Sequence, residues 1–269
     1  MTYYNPDLIL TEAFSAEEER NYTGSFCGFV LLDNESYSFL QLRERLQQWE
    51  IAPLADSFLD DAMMTDTDLI FEVPGAMITV SLMKEPIPDG EAEAAALHAL
   101  WQDAQSVVKA HTAHLMIAVL PRELHAMDAG RLYSRMVSAC LDDPHAKAVY
   151  TSGTILSPEA FQKETTYMTP DSLPIRNLIY VGTYQCEGGN CGYTVGMDAF
   201  GRDELEVLDS ALSKETIAHY LYQIAALLLS EQQPAQWYFT VSVNGLEWEA
   251  RRKDGVMVEG HSMQLQHKL

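Results

Sequence analysis

The sequence predicts an α+β protein of two ferredoxin-like halves, each ordered βαββαβ with an antiparallel sheet, the two packed as one compact unit. Three observations predict it. Short apolar runs rich in branched and aromatic residues alternate with segments whose apolar residues recur at helical spacing. Two pairs of runs meet at tight-turn signals, the connection that antiparallel strands use. The order of these elements then recurs along the 269 residues. A doubly wound parallel sheet is the rival, but parallel strands are joined through helices and not through hairpins.

Residues 1–23 read as an irregular polar segment, and residues 24–121 as the first half. Phe26 to Leu32 is apolar enough for a buried strand. Ser36 can cap a following helix in which Phe39, Leu42, Leu46 and Trp49 share a face. Asp56 to Asp68 reads as an exposed loop or short helical piece. Leu69 to Val73 and Met77 to Met83 are strands joined by Pro74-Gly75, which supplies a fixed and a permissive φ. Asp89 can cap one long helix bearing Leu97, Trp101, Ala104 and Val108, and His114 to Leu120 returns as a strand. Residues 122–145 read as a linking helix, with Leu132, Met136 and Cys140 on one side.

The second half, 146–269, repeats the order. A strand ends at Ile155, a short helix opens at Pro158, and Leu178 to Tyr184 and Gly192 to Met197 are strands. A long helix from Ser213 carries Ile217, Leu221, Ile224 and Leu228 on one face. Trp237 to Val243 follows, and Asn244-Gly245 turns the chain into the alternating Leu246 to Arg251.

Seventeen Lys and Arg against 39 Asp and Glu give a formal net charge of −22. A chain this acidic is repelled by phosphate backbones and anionic membrane surfaces, so neither nucleic acid nor membrane is expected as a partner. The basic run Arg251, Arg252 and Lys253 is too short to reverse that. Met1 to Arg20 lacks the basic flank and apolar stretch of a signal peptide. Four cysteines in a chain of this length do not make a disulfide framework, and the expected location is the reducing cytoplasm.

Chemistry-bearing residues fall in a few places. Cys186 and Cys191 flank a four-residue loop, Glu187-Gly188-Gly189-Asn190, and read as free thiols; a disulfide or half a metal site is the alternative. His111 and His114 could be metal ligands three apart, or structural histidines, but the HExxH spacing is absent. No nucleophile elbow, phosphate loop or dinucleotide fingerprint is present. Glu204 and Glu206 would share one face of an extended segment, where they could bind a cation or act as acid and base; alternatively they face water while Leu205 and Val207 face the core. No cofactor or metal is assigned.

At these residues the sequence resembles an uncharacterised bacterial family, domain of unknown function 4261. The resemblance rests on Thr194-x-Gly196, on Phe200-Gly201-x-x-Glu204-x-Glu206 with Ser210, and on the long helix that follows. Upstream, Trp101-x-Asp103-Ala104 and His111-x-x-His114-Leu115 resemble longer members. The best-defined domain spans about 174–250. The resemblance implies a soluble bacterial protein and supplies no substrate or reaction.

The reading that follows is a non-enzymatic binding module for a protein or small-molecule partner. One concrete version is an acidic, immunity-type protein that neutralises a basic one. Phe200, Gly201, Arg202 and Trp101 are its candidate binding residues. The alternative is a hydrolase using Glu204 and Glu206 with His111 or His114, around a divalent cation.

Overall fold

A computed structural model describes residues 8–9, 24–51, 62–99, 101–230 and 237–267. The chain divides into two compact units, one of Thr23–Leu178 and one of Ile179–Leu269 with Met1–Tyr22. Both are α+β, each built on a seven-stranded sheet among the described residues. Of the expected irregular N-terminus only Leu8–Ile9 is described, and it is a strand (β1). Asp56, Asp60 and Asp61 of the expected acidic loop lie outside the described residues.

The Thr23–Leu178 unit runs through Phe26–Leu32 (β2), Phe39–Gln48 (α1), Met63–Met64 (β3), Asp68–Val73 (β4) and Ala76–Met83 (β5). Glu91–Ala96 (α2), Ala104–Ala110 (α3), Ala113–Pro121 (β6), Ala126–Leu141 (α4), Ala146–Thr151 (β7) and Thr154–Leu156 (β8) follow. Pro158–Thr166 (α5) and Ile175–Leu178 (α6) complete it. The sheet order is β3-β4-β5-β6-β2-β7-β8, and every pairing is antiparallel.

This corrects the expected ferredoxin-like half. The split βαβ arrangement sets helix-linked strands parallel with another strand between them, whereas β5 and β6, linked through α2 and α3, are direct neighbours and antiparallel. Strand β7, expected to open a second half, instead extends the first sheet through Val30↔Val149 and Leu31↔Ala148, all four of them buried. The expected linking helix is α4, an integral layer that buries Tyr133, Met136, Val137 and Cys140. The long helix expected from Asp89 is broken. Asp89 itself has φ 62 and does not cap, and α2 and α3 are separate helices.

In the Ile179–Leu269 unit the elements are Tyr180–Cys186 (β9), Gly189–Val195 (β10), Glu204–Ser210 (β11), Lys214–Ser230 (α7), Tyr238–Val243 (β12), Leu246–Asp254 (β13) and His261–His267 (β14). Its sheet runs β1-β12-β13-β14-β11-β10-β9. Two antiparallel meanders meet where β11 and β14 pair in parallel, so the sheet is mixed and again not ferredoxin-like. Helix α7 buries Ile217, Leu221, Ile224 and Ala225. It packs so closely on β10 that a Cβ at Gly192 would stand 2.6 Å from Ile217 Cγ2. Leu205, Val207, Trp248, Ala250 and Leu265 are buried on the same side of the sheet.

Candidate functional site

Strand pairing sorts the side chains of the second sheet onto two faces, because directly opposed residues point the same way. Gly192 and Val207 are paired and lie under α7. Their neighbours Tyr193 and Glu206 are also paired, and therefore share the opposite face. Register then places Tyr180, Tyr184, Cys191 and Val195 on that face, together with Ser262 and Gln264 from β14 and Arg251 and Lys253 from β13.

Both glutamates of the Glu-x-Glu run accept hydrogen bonds from backbone N–H groups and from a hydroxyl. Glu206 is 0% exposed. Its carboxylate accepts from the backbone N–H of Val256 at 3.0 Å, from that of Met257 at 2.6 Å, and from the Ser262 hydroxyl at 2.6 Å. The expectation that this residue faces water is thus overturned: the 255–258 connection folds over it and supplies backbone donors in place of solvent. Glu204 accepts from Thr194 Oγ1 at 2.7 Å, from Gly196 N at 2.7 Å and from Met197 N at 2.9 Å. Burial pushes its carboxyl above the ordinary range, against the hydrogen bonds from Thr194 and Gly196.

The turn between β10 and β11 is built around these bonds. Gly201 takes φ 70 at the end of the short turn Asp198–Phe200 and donates to Asp198 O, while Arg202 N–H donates to Met197 O. Phe200, Gly201 and Arg202 therefore form the turn that Glu204 anchors. Burial lowers the pKa of Arg202. Arg252 pairs with Asp203 at 2.6 Å and lies over the Trp237 ring, while Arg251 pairs with Glu249. Two of the three residues of the basic run are thus engaged within their own unit.

The other candidates belong to the Thr23–Leu178 unit. His111 Nε2 accepts from Ile87 N at 2.9 Å and its Nδ1 bonds Val108 O. His114 Nδ1 donates to Glu85 O at 2.8 Å. Desolvation lowers the pKa of His114, and the neighbouring His111 adds to the effect. Both rings tie down the connection after β5. Trp101 packs against a core cluster that includes Ile87, Ala92, Ala104 and Val108. Glu204 thus meets the turn that contains Gly201 and Arg202 through Gly196 and Met197, and His111 neighbours His114, each set in its own unit.

Cys186 and Cys191 form a disulfide, which corrects the free-thiol reading. In the hairpin their side chains lie on one face, with Cys191 opposite Tyr184.

Residues missed by sequence reasoning are Tyr180, Tyr184 and Tyr193. Tyr193 lies edge-on to both of the others, at centroid distances of 6.1 and 6.3 Å. Burial raises the hydroxyl pKa of Tyr180 and Tyr184. Beside them Val195 is 40% exposed, and the loop pinned by Glu206 exposes Val256 at 60% and Met257 at 45%. The available signal was the period-two spacing of Tyr180 and Tyr184 opposite that of Tyr193 and Val195. Among the described residues no helix is long and apolar enough to cross a membrane.

No curated protein and no solved structure matches the chain. Residues 193–266 match the family described as Domain of unknown function (DUF4261), the family that the residues 200–206 run resembles.

Proposed function

We propose that this chain is a non-enzymatic binding protein of the bacterial cytosol, and that it receives a basic protein partner on the face of the Ile179–Leu269 sheet opposite α7. The observation that carries the reading is the state of the two glutamates. Their oxygens are engaged by backbone N–H groups and hydroxyls that fix loops, an arrangement suited to scaffolding and not to shuttling protons. The histidines are likewise engaged by backbone.

What those carboxylates hold in place is a surface of the composition that interfaces favour. Tyr180, Tyr184 and Tyr193 offer rigid aromatic area with a polar tip, and Val195, Val256 and Met257 offer exposed apolar atoms alongside. The net charge of −22 would steer a cationic partner to this chain over long range. Immobilising the full chain and challenging it with lysate of its host tests the reading. A basic protein retained at low salt and released as ionic strength rises is expected. Retention of no protein, or of one whose binding ignores salt, overturns it.

A further inference from the structure

The β9–β10 hairpin carries a group that the binding reading leaves unused. We propose that Cys186, Cys191 and Asp209 form a redox-gated site for a thiophilic divalent cation such as zinc, closed as the disulfide and opened on reduction.

The donor atoms are already gathered. The two Sγ atoms and a carboxylate oxygen of Asp209 all lie within 4.8 Å of one another. Ligand atoms around tetrahedral zinc stand roughly 3.5–3.8 Å apart, so parting the two sulfurs across one hairpin brings the set to coordinating distance. Two thiolates and a carboxylate supply three ligands and leave the fourth position to water, the open pattern that zinc accepts.

The backbone favours the charged form that binds metal. The N–H of Asp209 donates toward Cys191 Sγ at 3.3 Å, which stabilises a thiolate there. Asp209 Oδ1 lies 3.3 Å from Cys186 Sγ. Asp209 has φ 49, close to where the β10–β11 register shifts between Asn190 and Gly192. Gly188 lets the hairpin tip close over the carboxylate, since a Cβ there would stand 2.6 Å from Asp209 Cγ.

Opening the site needs a dithiol reductant, which the reducing cytosol expected from the cysteine count would provide. Its thiolate attacks the half-buried Cys186 Sγ, the S–S bond breaks, and the 2% exposed Cys191 leaves as thiolate toward the Asp209 N–H. The second thiol of the reductant resolves the mixed disulfide. The protein gains two electrons and two protons, and the reductant departs as a disulfide. Zinc then displaces one proton from each protein thiol to solvent.

The test uses the full chain in a Cys27→Ser background, which removes the exposed free thiol. Metal-free protein, reduced or oxidised, is titrated with zinc against a chromophoric chelator, and with cobalt to read thiolate-to-metal charge transfer. The reduced chain is expected to bind one metal with a charge-transfer band, and the oxidised chain to bind at least about 100-fold more weakly, since its ligand thiolates are gone. Cys186→Ser or Cys191→Ser removes the band, while Asp209→Asn keeps it and weakens binding at least about ten-fold. Reduced protein that binds no metal, equal binding by the oxidised chain, or a band that survives Cys191→Ser overturns the proposal. The comparison of redox states carries the test by itself if a variant fails to fold.

Discussion

Glu206 shows how backbone N–H groups and a hydroxyl can supply a wholly buried carboxylate with donors. Its oxygens receive two backbone N–H groups and one hydroxyl, and each hydrogen bond to a charged group is worth about 1.5–3 kcal/mol. Glu206→Ala is expected to destabilise the chain by about 3 kcal/mol, because two backbone donors and Ser262 lose their acceptor in a buried place. Urea unfolding measures the loss, and faster amide exchange at Val256 and Met257 would locate it. Titration gives a second handle. The raised Glu204 carboxyl contributes stability that is fully present below its ordinary value of 4.5 and is lost as pH rises through its folded value. The lowered His114 works the other way: its contribution is full above 6.5 and is lost as pH falls through its folded value. Urea midpoints should therefore show Glu204→Gln gaining on wild type as pH rises above 4.5 and through the folded value. His114→Gln should flatten the fall in stability on the acid side of neutrality.

The elements that could be read from sequence are those whose own residues decide them. The Pro74-Gly75 and Asn244-Gly245 turns join β4 to β5 and β12 to β13 as their φ requirements dictate, and α7 follows its apolar stripe. Partner choice was not legible. Strand β7 carries no local mark that sends it to β2, and the parallel contact of β11 with β14 joins residues some sixty positions apart. Nor could Glu206 be recognised as buried, since Glu-Leu-Glu-Val has the spacing of a strand with one wet face. The loop that covers it lies 50 residues further on. Packing at the element scale is also testable. Gly192→Ala should cost about 1–3 kcal/mol by forcing Ile217 off β10. Pairing it with Ile217→Ala should cost less than the sum of the two single changes, since both act on one contact. Ser157 Oγ accepts from Ala160 N–H at the start of α5, and Ser157→Ala should cost about 1 kcal/mol by thermal melting.

At the scale of the whole molecule, charge and division into units carry the functional argument. Each unit has its own sheet and its own buried core, and the DUF4261 match lies within the Ile179–Leu269 unit. Its α7-covered face is committed to the core, and the proposed binding surface is the opposite, tyrosine-bearing face. The most direct measurement compares full-length wild type with Tyr184→Ala/Tyr193→Ala, by titration calorimetry against the basic protein that the immobilised chain retains. At matched thermal stability, the double variant is predicted to bind at least about ten-fold more weakly, the loss of one interface anchor. Unchanged affinity in that variant would contradict the assignment of the tyrosine face as the binding surface.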